Sequence, residues 1–206
     1  STDCKRTAQI AINAGAIVPY LRDKKISHSK ATMVSVIIDY LKYCKINKIY
    51  IPKYISLVPP THPFLKMSSL KNSFNEIKKT KFNSIISLFK SMEDPFSLVT
   101  SIKKKINFDT LSYKNLNFFS FERSQDKPSF LKLSSSIQIT KTKYFNKFLN
   151  KNITKITEKP FDSNSCCGYL INQFESFDIN SKNDLYLAKR FFKKQSLLRL
   201  FAENFF

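Results

Sequence analysis

The feature that most limits the fold of this chain is its near lack of glycine, because only Gly15 and Gly168 occur among its 206 residues. Glycine adopts positive φ angles without strain, so it dominates tight hairpin turns and the loops that wrap phosphate groups. With two glycines far apart, the chain cannot form a G-x-G-x-x-G turn or another glycine-rich phosphate loop. This scarcity argues against most nucleotide-binding enzymes.

The charge balance is strongly basic. Lys and Arg together number 35, against 15 for Asp and Glu, which gives a net charge of +20 and a pI near 9.8. The crowding of Lys, Asn, Ile and Phe is typical of an AT-rich genome, and this bias accounts for part of the charge. Self-repulsion of this size still favours a polyanionic partner, of which nucleic acid is the most common.

The apolar content is sufficient for a folded core, since 42% of the residues are hydrophobic and 20 are Phe. The proline-rich stretch at 59–63 interrupts the periodic pattern and predicts a linker. We therefore expect an N-terminal helical segment at 1–58, the linker at 59–63, and a helical and hairpin segment at 64–206. The last segment and residues 1–58 are also compatible with one continuous domain.

Helical periodicity prevails along the chain. It predicts helices at 5–22, from Ser27 or Ser29 to Cys44, at 70–92, from 94 to 106, and from Ser181 or Asp184 onward. Residues 49–58 predict a short edge strand or extended arm, and strict alternation between Leu131 and Ile139 predicts one strand of a hairpin. The predicted fold class is α+β, predominantly α-helical with a small antiparallel β-hairpin at about residues 116–140.

The segment from Lys141 to Thr157 carries the most specific pattern. On a helix, Phe145, Phe148 and Ile156 share an apolar stripe. A second stripe is a ladder of lysines spaced by four: Lys143, Lys147, Lys151 and Lys155. Like charges at this spacing repel each other, so the ladder predicts contact with phosphate groups, with a solvated surface as the alternative.

Two further basic clusters predict the same kind of contact. One is the triplet Lys103, Lys104 and Lys105, which also fits as a complement to the negative pole of a helix. The other is the polar side of the last helix, formed by Lys189, Arg190, Lys193 and Lys194. Together with the ladder, these residues are the predicted RNA-phosphate-binding site.

Residue patterns for catalysis are lacking in the sequence. His28 and His62 have no Cys or His at metal-ligand spacing, and Cys4, Cys44, Cys166 and Cys167 form no C-x-x-C motif. We therefore expect no catalytic residue, no metal site, no cofactor and no enzymatic activity. A redox or metal role for the adjacent Cys166 and Cys167 is the less favoured alternative to a pair of half-buried thiols.

These observations predict a structural RNA-binding protein of a large ribonucleoprotein particle, and an organellar, mitochondrial ribosomal subunit fits them best. Its expected partners are structured RNA such as rRNA and neighbouring proteins, which Phe205 and Phe206 would contact, with no small-molecule substrate. The expected location is intracellular and mitochondrial. The alternatives are a DNA-binding or chromatin-associated factor and a scaffold subunit of a membrane-associated complex.

Overall fold

The computed structural model describes residues 1–91, 112–113, 116–117 and 130–205, with side chains described at 1–91 and 130–193. The α-helices are α1 Lys5–Asn13, α2 Met33–Ile46, α3 Met67–Lys79 and α4 Lys182–Phe205. The strands are β1 Tyr54–Leu57, β2 Ser84–Lys90, β3 Ser112–Tyr113, β4 Leu116–Asn117, β5 Leu131–Lys141 and β6 Cys166–Leu170. Short 3₁₀ helices lie at Lys24–Ile26, Thr142–Phe148, Ile153–Lys155 and Gln173–Ser176.

A mixed four-stranded sheet is the centre of the described fold, with strand order β1-β5-β2-β6. Strand β5 runs antiparallel to both β1 and β2, and β2 runs parallel to β6. Strands β1, β2 and β6 therefore point in one direction and β5 in the other. Consequently the carboxyl ends of three strands and the amino end of β5 meet at one edge of the sheet.

Helices cover both faces of this sheet. On one face, α2 and the 3₁₀ helix Thr142–Phe148 pack together, with Phe145 and Phe148 at 0% and 1% exposure. On the other face, Ile77 of α3 packs against Ile137 and Ile139 of β5. The two isoleucines are two residues apart, so they project from the same side of the strand. The sheet is thus a layer between two apolar clusters.

Helix α2 confirms one element of the sequence prediction. Its residues Val34, Ile37, Ile38, Leu41 and Cys44 are all buried, as their helical spacing indicates. Helix α1 is shorter than the predicted helix at 5–22. It ends at Asn13, and Gly15 then adopts a φ of +87°, a conformation that commonly ends a helix.

The predicted fold class is wrong. The predicted helix at 70–92 is instead α3 followed by strand β2, because Thr80 is extended and the run Ser84–Lys90 enters the sheet. The predicted hairpin at 116–140 does not form either. Strand β4 pairs with β3, whereas β5 lies between β1 and β2. Alternation alone does not identify the partner of a strand, and so β5 was assigned to a local hairpin.

The predicted helix at 141–157 is also wrong, since the segment forms two short 3₁₀ helices. Phe145 and Phe148 are three residues apart, a spacing that places them on one side of a 3₁₀ helix as well. Asn152 then begins a new turn, because its side-chain oxygen accepts a hydrogen bond from the Thr154 amide at 3.1 Å. The apolar stripe is buried as predicted, but without an α-helix.

The predicted domain boundaries stay a prediction. Strand β1 belongs to the predicted segment 1–58, and it pairs with β5 of the predicted segment 64–206. The predicted helix at 94–106, including Lys103 to Lys105, lies outside the described residues, as does Phe206. Within the described part of the chain, no helix is both long enough and apolar enough to cross a membrane.

Candidate active site

Polar residues from distant parts of the chain come together beyond the carboxyl end of β1, beside the middle of β5. In open α/β sheets, ligands bind outside the carboxyl ends of the strands. Here the segment after β1 contains Thr61 and His62, and the segment after β6 contains Asp178. The Ile179 amide donates a hydrogen bond to the Thr61 carbonyl at 2.9 Å, which fixes the two segments side by side.

His62 lies at the centre of this group, and its residue exposure is only 6%. Its Nε2 lies 3.4 Å from the hydroxyl of Ser135 on β5. On the other side of the ring, Nδ1 lies 3.4 Å from Thr61 Oγ1 and 3.8 Å from Asp178 Oδ1. The imidazole is therefore held between a hydroxyl and a carboxylate.

A β-bulge presents Ser135 to the histidine. The register between β2 and β5 shifts between Ile86 and Ser87, so β5 bends at its run of three serines. Ser134 and Ser136 turn into the protein and are buried, whereas Ser135 is exposed. The Ser87 hydroxyl accepts a hydrogen bond from the Ile137 amide at 3.1 Å and lies 3.0 Å from the Ser136 hydroxyl, which stabilises the bulge.

Burial determines the protonation of His62. Desolvation lowers the pKa of the imidazole, and the nearby Asp178 carboxylate offsets part of this effect by raising the pKa. The ring is consequently neutral at pH 7 and available as a proton acceptor. Asp178 Oδ1 is buried and has no hydrogen-bond partner among the described residues, whereas Oδ2 accepts a hydrogen bond from the Asn180 side chain at 3.1 Å, so Oδ1 is the oxygen that faces the ring.

Glu175 lies close to this group but has a structural role. The carboxylate is 4% exposed, and its Oε2 accepts a hydrogen bond from the Lys66 amide at 3.1 Å. Lys66 is the N-cap residue of α3, so Glu175 places a negative charge at the positive end of that helix. This contact holds the segment after β6 against the start of α3.

Metal ligation finds little support in the described residues, where no group of three or more His, Cys, Asp or Glu side chains could hold a metal ion. Cys166 and Cys167 are free thiols in β6. Burial raises the pKa of Cys166 to about 11, so its thiol stays protonated at neutral pH. Neither thiol takes part in the group around His62.

The predicted lysine ladder is not assembled on one helix. Lys143 and Lys147 lie on the first 3₁₀ helix, Lys151 lies in the bend after it, and Lys155 lies on the next 3₁₀ helix. All four are exposed, but two already contact other side chains. Lys147 Nζ lies 4.1 Å from the ring centre of Tyr144, and Lys151 Nζ forms an ion pair with Glu158 at 2.8 Å.

The basic side of the last helix is partly described. Lys189, Arg190 and Lys193 are exposed on α4, and the Arg190 guanidinium donates a hydrogen bond to the Tyr186 hydroxyl at 2.6 Å. Lys194 belongs to the same helix. A role of these residues in binding phosphate stays a prediction.

The sequence and the fold were compared with those of known proteins. No protein-family model matches the chain. Over 192 residues it is 28% identical to the CMP-N,N'-diacetyllegionaminic acid synthase of Legionella pneumophila, a match that covers 92% of this chain and 75% of the relative. Among solved structures, a 4-diphosphocytidyl-2C-methyl-D-erythritol synthase from Anaerococcus prevotii matches 92% of this chain and 78% of its own, with 12% identity and a TM-score of 0.44. A TM-score of this size does not establish a shared fold.

The likeness to a synthase contradicts the predicted function. The predictions of a ribosomal RNA-binding protein, of no enzymatic activity, and of an RNA partner with no small-molecule substrate are wrong. The scarcity of glycine does not exclude a nucleotide-binding enzyme, because it bears on glycine-rich phosphate loops alone. A ligand site beside a sheet can be formed by side chains such as those of His62 and Ser135. Such a site does not require a glycine-rich loop.

Sequence reasoning missed His62, Ser135 and Asp178. His62 has no Cys or His at metal-ligand spacing in the sequence, and its partner Ser135 is 73 residues away along the chain. One usable signal was present: a polar stretch that contains His62 directly follows a predicted strand. A second was the run of three serines in the middle of the alternating stretch that forms β5.

Proposed function

We propose that this protein is a cytidylyltransferase, an enzyme that transfers CMP from CTP to an acceptor hydroxyl. We further propose that the acceptor is an acidic sugar of the N,N'-diacetyllegionaminic acid class. The observation that carries the proposal is the 28% identity to a synthase of the corresponding CMP-sugar across 92% of this chain.

The reaction defines what the site has to do. The acceptor oxygen attacks the α-phosphorus of CTP and forms the new P–O bond. The bond from the α-phosphorus to the bridging oxygen breaks, and pyrophosphate leaves with the bonding electron pair. The acceptor hydroxyl loses its proton in the process. Such phosphoryl chemistry depends mainly on positioning and on electrostatic stabilisation of the transition state.

Two features of the molecule support this proposal. The group around His62 lies beyond the carboxyl end of β1, the kind of strand end at which α/β sheets bind ligands, and it contains a neutral base and a hydroxyl. In addition, both proposed substrates are anions, and a net charge of +20 attracts anions to the protein surface. The charge that suggested RNA is therefore compatible with small anionic substrates.

The test is an assay of pyrophosphate release by the purified protein, with CTP, Mg²⁺ and N,N'-diacetyllegionaminic acid. Parallel reactions replace CTP by ATP, GTP or UTP, or omit the sugar. We expect release that requires both substrates and favours CTP by about tenfold or more, as a nucleotide site that hydrogen-bonds the base requires. Release with no preference among the nucleotides, or no release with any of them, would contradict the proposal.

A further inference from the structure

We propose that His62 is the proton acceptor of the transfer reaction and that the hydroxyl of Ser135 relays the proton to it from the acceptor sugar. This inference rests on the proposed function and adds to it a route for the proton. It identifies Ser135 as the residue that touches the acceptor hydroxyl. It also assigns Asp178 the stabilisation of the protonated ring.

Ser135 is more exposed than His62, so the proton passes from the substrate to Ser135 first and then to His62. Ser135 is exposed in the middle of β5, whereas the His62 side chain is 1% exposed. A bound substrate can reach the serine hydroxyl, but it cannot reach the ring directly. The 3.4 Å between Ser135 Oγ and His62 Nε2 is long for a hydrogen bond, and such contacts often shorten when the substrate binds.

Asp178 provides the second, independent observation. Its Oδ1 is buried and lacks a hydrogen-bond partner among the described residues, although buried carboxylate oxygens are normally satisfied. This atom lies 3.8 Å from His62 Nδ1. When the ring takes a proton, the pair becomes an ion pair whose histidine side is buried, and attraction between charges is stronger there than between two groups in water.

The bulge in β5 accounts for the position of Ser135. In a regular strand, successive side chains point to opposite faces of the sheet. The bulge adds residues to β5 where the register shifts between Ile86 and Ser87, and it breaks this regular order. The hydroxyls of Ser134 and Ser136 hydrogen-bond to each other at 3.0 Å inside the protein. The residue between them therefore projects outward toward His62.

The proton balance is complete with groups of this chain. As the acceptor oxygen bonds to phosphorus, its proton passes to Ser135 Oγ, and the original Ser135 proton passes to His62 Nε2. The electron pair of the broken O–H bond stays on the acceptor oxygen. Serine is a neutral hydroxyl before and after the step, and the imidazolium later releases its proton to water.

The environment of His62 predicts the pH dependence. Asp178 faces the ring from the segment after β6, Ser135 faces it from β5, and Glu175 lies on the adjacent 3₁₀ helix, bonded to the Lys66 amide. Burial lowers the pKa of His62, and Asp178 opposes this. The ring accepts a proton only above its pKa, so the transfer rate falls as the pH drops through that pKa.

The first measurement is an NMR titration of the His62 ring, which does not depend on activity. Asp178→Asn removes the charge that raises the pKa of His62, so the titration should move to lower pH. Asp3→Asn, which alters an exposed carboxylate that pairs with Arg22, is the matched control and should leave it unchanged. Identical His62 titrations in wild type and Asp178→Asn would overturn the inference.

The second measurement compares rates of transfer in variants. We expect Ser135→Ala and His62→Gln each to lower kcat by about 10²-fold, the usual contribution of a positioned base, and the double variant to lose no more than either single one. In the two single variants, the rate of CMP transfer should no longer fall at low pH. His28→Gln and Ser29→Ala, which change exposed residues of another loop, should behave as wild type.

The outcomes separate the two proposals. A wild-type enzyme that transfers CMP, with variants at Ser135 that keep the full rate and pH profile, would overturn the relay and leave the function intact. Because Ser135 is exposed, Ser135→Ala should fold. It can therefore test the relay even if His62→Gln does not fold. Failure of the wild type to transfer CMP would overturn both, even where the titration shows the His62–Asp178 pair.

Discussion

Glu175 should contribute strongly to stability, because it caps a helix that is more than one hundred residues away in sequence. Its buried carboxylate accepts the Lys66 amide at 3.1 Å, a contact across 109 residues. The N-cap residue of α3 has no side-chain hydrogen bond of its own. The start of α3 therefore depends on Glu175 for a partner.

The magnitude follows from the two parts of this contact. A hydrogen bond to a charged group contributes about 1.5–3 kcal/mol, and a negative charge at a helix N-terminus about 0.3–1 kcal/mol. Glu175→Ala loses both, so the free energy of unfolding should fall by about 2–4 kcal/mol. Glu175→Gln keeps an acceptor oxygen and should cost about 1 kcal/mol.

The assay is equilibrium unfolding in urea with the two variants and a control. Gln173→Ala changes an exposed residue of the same 3₁₀ helix and should stay within about 0.5 kcal/mol of wild type. An unfolding free energy of Glu175→Ala equal to that of Gln173→Ala would refute the capping role.

Three further changes test other parts of the structure. Ser87→Ala leaves the Ile137 amide without its acceptor and should lower the free energy of unfolding by about 1–3 kcal/mol in urea; no loss would contradict the bulge network. Phe148→Ala removes a ring that is 1% exposed and should cost about 3–5 kcal/mol by the same method, and a loss below about 1 kcal/mol would contradict its place in the core. Hydrogen bonding lowers the pKa of the exposed Cys4 thiol, whereas burial raises the pKa of the Cys166 thiol to about 11. Iodoacetamide at pH 8 should therefore label Cys4 before Cys166, as followed by mass spectrometry, and the reverse order would contradict these environments.

Local periodicity predicts the buried residues correctly where a segment packs through one continuous face. Helix α2 is such a case, because the spacing of its apolar residues alone determines which side is buried. The burial of Phe145 and Phe148 was also predictable, since their spacing of three residues serves both an α-helix and a 3₁₀ helix. The same ambiguity is why the type of helix was not predictable.

The sheet could not be predicted, because its pairings are between distant segments. Strand β5 pairs with β1 and β2, whose paired residues precede it by 41 residues or more, and nothing in the alternation of β5 specifies these partners. Strand β2 was concealed for another reason. Its apolar residues continue the helical spacing of α3, so the two elements together resemble one long helix.

The candidate site shares this dependence on distant contacts. No local sequence pattern distinguishes His62, Ser135 or Asp178. They form a group only because the fold brings them together. Charge, by contrast, was visible in the sequence but did not specify its partner. A net charge of +20 indicates anions, and it does not distinguish RNA phosphates from a nucleotide and a sugar acid.

The most direct test of the central claim is mass spectrometry of the reaction product. The protein is incubated with CTP and N,N'-diacetyllegionaminic acid, and the mixture is searched for the mass of the sugar acid joined to CMP. The proposed function predicts this product, formed in equal amount with pyrophosphate and absent when either substrate is omitted. Recovery of unchanged CTP and unchanged sugar acid after prolonged incubation with folded protein would contradict it.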